Sequence, residues 1–154
     1  MAKFTIKKQF LLFFIGFVLY MLIEILFRGY TYYTMGFAGG LAFILIGLIN
    51  EILSWDLFVE IQMIISSIIV TLIELISGTI LLDVFGMRMW DYSDQLFNYR
   101  GFICPLFSIA WLFLGLAAIL LDDYIRYVKF NEEKPRYTSF ILRTIKNIKN
   151  KLMG

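Results

Sequence analysis

The chain has 154 residues, 60% of them hydrophobic and only 17% charged, with a formal net charge of +2. A soluble domain of this size cannot bury so much apolar surface, so the composition excludes one and points to lipid as the solvent. With no histidine and the single cysteine Cys104, it also excludes histidine metal sites, Ser-His-Asp triads, Cys-His dyads and an intrachain disulfide.

Four segments supply the roughly 20 apolar residues needed to cross about 30 Å of hydrocarbon. The first covers residues 9–27 and holds one charge, Glu24. Lys3, Lys7 and Lys8 before it give the look of a signal peptide, but Glu24, Phe27 and Arg28 stand where small cleavage-site residues belong. The segment is therefore expected to stay as a span. A short turn at 31–33 leads to the second span, 34–53, glycine-rich at first and closed by Asn50 and Glu51. After a turn at 54–56 the third span, 57–82, carries Glu60 and Glu74. The one long loop, 83–99, is rich in aromatic and charged residues, a type of loop that often carries function. The fourth span, 101–121, has no internal charge. The expected fold is an all-α membrane protein, a four-helix bundle over residues 1–123 with a basic tail at 124–154.

Lys and Arg crowd the amino end and the tail, whereas the opposite side carries only Arg28, Arg88 and Arg100. An even number of spans places both termini together, and the positive-inside rule then predicts that both are cytoplasmic.

Each span has one face unsuited to lipid, because residues three, four and seven apart share a helix face. These faces are Gly16-Tyr20-Glu24-Arg28, Gly36-Gly40-Gly47-Glu51, Glu60-Ser67-Thr71-Glu74-Gly78 and Gly101-Ser108-Gly115-Asp122, and they are expected to meet inside the bundle. Gly36 and Gly40 read as close-packing positions. Cys104 reads as a core residue, and Glu51, Asp56 and Glu60 as solvated helix ends.

Charge inside a membrane costs at least about 2.5–3.5 kcal/mol, so an intramembrane carboxylate marks a bundle interior or a cavity. At 1.5 Å per residue, Glu24 and Glu74 both lie about 21–25 Å from the cytoplasmic boundary. Arg28, one turn beyond Glu24, is placed to neutralise either. The long loop closes over this end with Trp90, Asp91, Tyr92 and Asn98. The candidate binding site is therefore Glu24, Arg28, Glu74, Trp90, Asp91, Tyr92 and Asn98, facing outward. The plainer alternative is a set of buried ion pairs that only fix helix register.

In the tail, Ile141, Ile145, Ile148 and Leu152 line one helical face, with Arg143, Lys146, Lys149 and Lys151 away from it. That is the pattern of a basic amphipathic helix lying on an anionic cytoplasmic leaflet, rather than of a nucleic-acid binder.

Two stretches carry a family resemblance. One is Arg28-Gly29-Tyr30-Thr31-Tyr32-Tyr33-Thr34-Met35 with Gly39, Gly40, Asn50 and Glu51; the other is Trp90-Asp91-Tyr92-Ser93 with Asn98, Gly101, Ile103, Cys104 and Trp111. Over residues 24–115 the chain resembles the small bacterial multi-pass membrane proteins described as "putative ABC-transporter permease" (type IV), with the basic tail outside the resemblance. Arg88, Asp94 and Arg100 depart from it, since more apolar residues are expected there. The resemblance implies the bacterial inner membrane and a part in transport, with no substrate specified.

The expected function is a transporter component that captures a small polar or zwitterionic solute. No Walker motif is present, so an ATP-driven role requires a separate ATPase. Four spans are few for a pathway, so a homo-oligomer or another membrane subunit is expected. The alternatives are an accessory or scaffold subunit, and an enzyme acting on a lipid through Glu24, Glu74 and Asp91. No nucleophile pair or metal-ligand set supports the enzyme, so no catalytic residue, metal or cofactor is assigned.

Overall fold

Long apolar runs in lipid can satisfy their backbone only as helices. The computed structural model describes residues 5–53 and 56–153, with side chains to 150. Among these, α1 (Ile6–Arg28), α2 (Tyr33–Ile52), α3 (Val59–Phe85) and α4 (Pro105–Phe130) are long and apolar enough to cross a membrane, and α5 (Phe140–Met153) is shorter and polar. Lys3, Ser54 and Trp55 lie outside the described residues, as do the side chains of Lys151 and Leu152.

Local chemistry sets the helix ends. Gly29 closes α1 at φ 81° with its N–H on the Ile25 carbonyl at 2.8 Å, and Gly86 closes α3 at φ 66°. Only glycine adopts such angles without strain. Pro105 starts α4, so residues 101–104 belong to the loop rather than to the span. At its other end α4 runs on to Phe130, well past Leu121.

Packing is uneven. α1 lies mainly on α2 and α3 mainly on α4, with α2 also touching α3 and α4. Glycines allow the first pairing: a Cβ at Gly40 would stand 2.8 Å from the Phe13 ring, and one at Gly36 would stand 2.7 Å from Phe17. The second pairing uses hydroxyls. Ser67 donates to the Ser108 carbonyl at 2.6 Å, Thr71 and Ser108 share a hydrogen bond at 3.1 Å, and Gly115 makes room for Ser66.

The four small-and-polar faces therefore do not all converge, contrary to the expectation from spacing. α1 and α4 flank an open groove of about 270 Å³. The buried residues of the central core, Ala42, Ile46, Ile49, Val70, Trp111 and Ile119, come from α2, α3 and α4, and α1 adds Tyr20, packed against them. Outside it, Phe10, Phe14, Ile64, Ile68, Ile76, Ile109 and Phe113 are exposed, as a lipid-facing belt requires.

Both chain ends of the bundle lie together, since Lys8 Nζ bonds Glu132 at 2.6 Å. This end is called the termini end, and the opposite one, capped by residues 86–104, the loop end.

Candidate functional site

Glu24 sits one turn before the end of α1, and helical spacing brings Arg28 back onto it at 2.9 Å. The Thr31 hydroxyl donates to Glu24 Oε2 at 2.6 Å. Arg28 also donates to the Met89 carbonyl at 3.0 Å and the Tyr30 carbonyl at 3.3 Å, and lies 4.7 Å over the Tyr30 ring. One guanidinium thus ties α1, the turn after it and the long loop together. Arg28 pairs with Glu24, and among the described residues no cation pairs with Glu74. The expected choice of partners for Arg28 resolves to one.

Glu74, buried at 5% exposure on α3, takes a different set of partners. Trp111 of α4 donates its indole N–H to Oε2 at 2.8 Å, and the Tyr92 hydroxyl donates to Oε1 at 3.1 Å. Burial and the Glu74 carboxylate push the Tyr92 phenol well above its ordinary range, so it stays a donor. Its ring stacks on Phe107 with centroids 4.2 Å apart.

The loop is held by its own polar groups. The Ser93 hydroxyl and backbone N–H both donate to Asp91, which holds that carboxyl below the usual range, and Arg88 adds an ion pair at 3.2 Å. Arg100 forks onto Asp83 at 2.8 and 3.2 Å, which raises its guanidinium further. Trp90 and Phe102 turn inward: the Trp90 indole donates to the Phe102 carbonyl at 2.9 Å, and Phe102 (1% exposed) fills the space left by Gly78.

Between these parts lies a cavity of about 580 Å³, within the range of small-molecule sites. Glu24, Arg28, Trp90, Asp91 and Tyr92 all line it, together with Tyr20, Asp94, Gln95 and Trp111. Glu74 stands behind Tyr92 and Trp111 and orients both. Asn98 is not among the lining residues. Its amide donates to the Ser93 and Gln95 carbonyls and accepts from the Gly101 N–H, so it fixes the shape of the loop.

Sequence reasoning missed a second polar cluster, at the termini end. Arg126 (2% exposed) pairs with Asp122 (0%) one turn earlier and with Glu51 of α2 at 3.3 Å. Asn50 donates to Asp123 at 2.7 Å, as does Tyr137 at 2.8 Å, and burial together with Asp123 pushes the Tyr137 phenol upward. Gly47 supplies the notch for the Asp122 carboxylate. The signal available in the sequence was Asp122 and Arg126 at i,i+4 just beyond the hydrophobic run.

Glu51 and Glu60 are therefore engaged rather than simply solvated. Glu60 caps α5: it accepts from the Ser139 hydroxyl at 2.5 Å and from the Phe140 and Ile141 N–H groups at 3.1 and 3.2 Å. These contacts, with Ser139 accepting from Leu142 N–H, satisfy donors at the helix start. Arg143, Lys146 and Lys149 are exposed on α5, as are Ile141, Ile145 and Ile148.

The family described as "Putative ABC-transporter type IV" matches residues 1–147. The match takes in the first span and most of the basic tail, beyond the 24–115 stretch whose motifs carry the resemblance. No curated protein and no solved structure matches the chain.

Proposed function

Because the chain belongs to the "Putative ABC-transporter type IV" family, we propose that it is the membrane-spanning component of a transporter and binds a small polar or zwitterionic solute in its loop-end cavity. One observation carries the reading: Glu24, Arg28, Asp91, Asp94 and four aromatic rings, of Tyr20, Trp90, Tyr92 and Trp111, converge on one cavity of about 580 Å³. Opposite charges offer partners for both ends of a zwitterion, and ring faces favour an ammonium group.

In this reading the termini and α5 lie in the cytoplasm of a bacterial inner membrane and the cavity opens outward. The excess of Lys and Arg at the termini end supports that orientation. Arg143, Lys146, Lys149 and Lys151 then rest on the anionic inner leaflet while the isoleucine face enters it, which makes α5 a surface-lying helix joined to the spanning bundle through Glu60. The energy source is a separate ATPase, and a homo-oligomer or a second membrane subunit completes the pathway.

Purification of the full chain from its native membrane in mild detergent, with mass spectrometry of what accompanies it, tests this. The proposal expects a stoichiometric ATPase. Recovery of the chain without one, together with unchanged solute uptake on deletion, contradicts it.

A further inference from the structure

The loop-end cavity does not end at its polar walls. Tyr20, Ile23, Trp111 and Leu114 line both that cavity and the groove between α1 and α4, so the two adjoin at these residues. Below these four residues the wall is apolar, from Leu19 on α1 and from Ala117, Ala118 and Leu121 on α4. From Trp111 to Leu121 the groove follows α4 for about 15 Å at 1.5 Å per residue. α1 and α4 flank it without closing it, so it opens sideways into hydrocarbon. At the polar end the lining holds three carboxylates, Glu24, Asp91 and Asp94, and the cation Arg28; Arg88 pairs with Asp91 at 3.2 Å from outside the lining, so among the described residues Asp94 is the one of the three without an ion pair. Arg28 is already committed to Glu24 and to two carbonyls.

We infer that the ligand is a single-chain amphiphile with a cationic ammonium headgroup, taken sideways from the adjoining leaflet, its head among Asp91, Asp94 and the aromatic rings and its chain along the α1–α4 groove. The inference rests on the reading of the loop-end cavity as the binding site, narrows the head from a zwitterion to a cation and adds the chain. Charge complementarity selects the head, and a polar cavity adjoining an apolar groove selects an occupant that is polar at one end only.

The test uses the full chain in phosphatidylcholine nanodiscs with a trimethylammonium amphiphile bearing a diazirine at its chain end. A probe with the same chain and a sulfate head is run beside it, and adducts are mapped by mass spectrometry. The ammonium probe is expected to mark groove residues such as Leu19 and Leu121. Labelling is expected to fall about tenfold, the equivalent of 1.4 kcal/mol, in Ala117→Phe, whose ring enters the groove from an exposed position. Asp94→Asn and excess tetramethylammonium are both expected to lower it as well. Equal labelling of the outward residues Phe10 and Phe113 by both probes shows annular contact alone and overturns the inference. Cross-linking of Ala117→Cys to a second copy, with the groove unlabelled, shows a helix interface and also overturns it. Tryptophan fluorescence titrated with tetramethylammonium separates the two claims. Saturation without groove labelling leaves the cavity standing as a solute site, and neither response removes both.

Discussion

The indole N–H of Trp111 on α4 meets the carboxylate of Glu74 on α3 at 2.8 Å, deep between two helices that otherwise pack through hydroxyls and glycine. Tyr92 completes the same carboxylate from the loop. One acidic side chain thus sets the orientation of two rings that wall the cavity.

Replacing Glu74 separates shape from charge. Glu74→Gln keeps an acceptor for Trp111, so the fold is expected to survive while solute affinity drops about tenfold through lost negative potential beside the rings. Glu74→Leu leaves two buried donors without an acceptor and is expected to destabilise by about 1–3 kcal/mol for each. Thermal unfolding in detergent and ligand titration on both variants check this.

Arg28→Lys is not a conservative change here. A lysine ammonium cannot reach Glu24, the Met89 carbonyl and the Tyr30 carbonyl in one planar fork. The loop is expected to loosen, seen as faster backbone hydrogen exchange over residues 88–101, with helices α2 and α4 unaffected.

At the termini end, Arg126→Met strands the fully buried Asp122 without its cation. A loss of about 3–5 kcal/mol is expected, and Asp122→Asn combined with it is expected to recover part of that. Unfolding of the two single variants and the double variant gives the coupling directly.

Glu60→Ala removes the carboxylate that accepts the first N–H groups of α5. Loss of a cap of this kind costs about 1 kcal/mol and frees the helix start. Hydrogen exchange at Phe140 and Ile141 is expected to rise while the four spans stay protected.

The spans were legible because hydropathy alone dictates them in lipid, and α1, α2 and α3 fall within a few residues of the segments read from sequence. That these polar residues cluster at the loop end was legible for a related reason. Charge in a span is costly enough that Glu24, Arg28 and Glu74 declare themselves, and the dense aromatic loop points to its neighbours. Asn98 was counted as a binder because its amide chemistry is the same whether it meets a solute or a backbone, and spacing does not tell the two apart. The Arg126 cluster was hidden by the same hydropathy that revealed the spans. Asp122 and Asp123 end the apolar window, yet the helix continues because Arg126 pairs with Asp122 and Glu51 while Asn50 and Tyr137 donate to Asp123, which offsets the cost of burial. Those partners are set by tertiary packing, as is Lys8 with Glu132, 124 residues away.

The most direct test of the central claim is a tryptophan-fluorescence titration of the full chain in nanodiscs with small zwitterionic and cationic solutes, run on wild type and on Glu24→Gln. Trp90 and Trp111 both line the cavity, so an occupant changes their surroundings. A saturable response in wild type that weakens about tenfold in a folded Glu24→Gln chain is the predicted result. No saturable response to any solute, or one that Glu24→Gln leaves unchanged, contradicts the account.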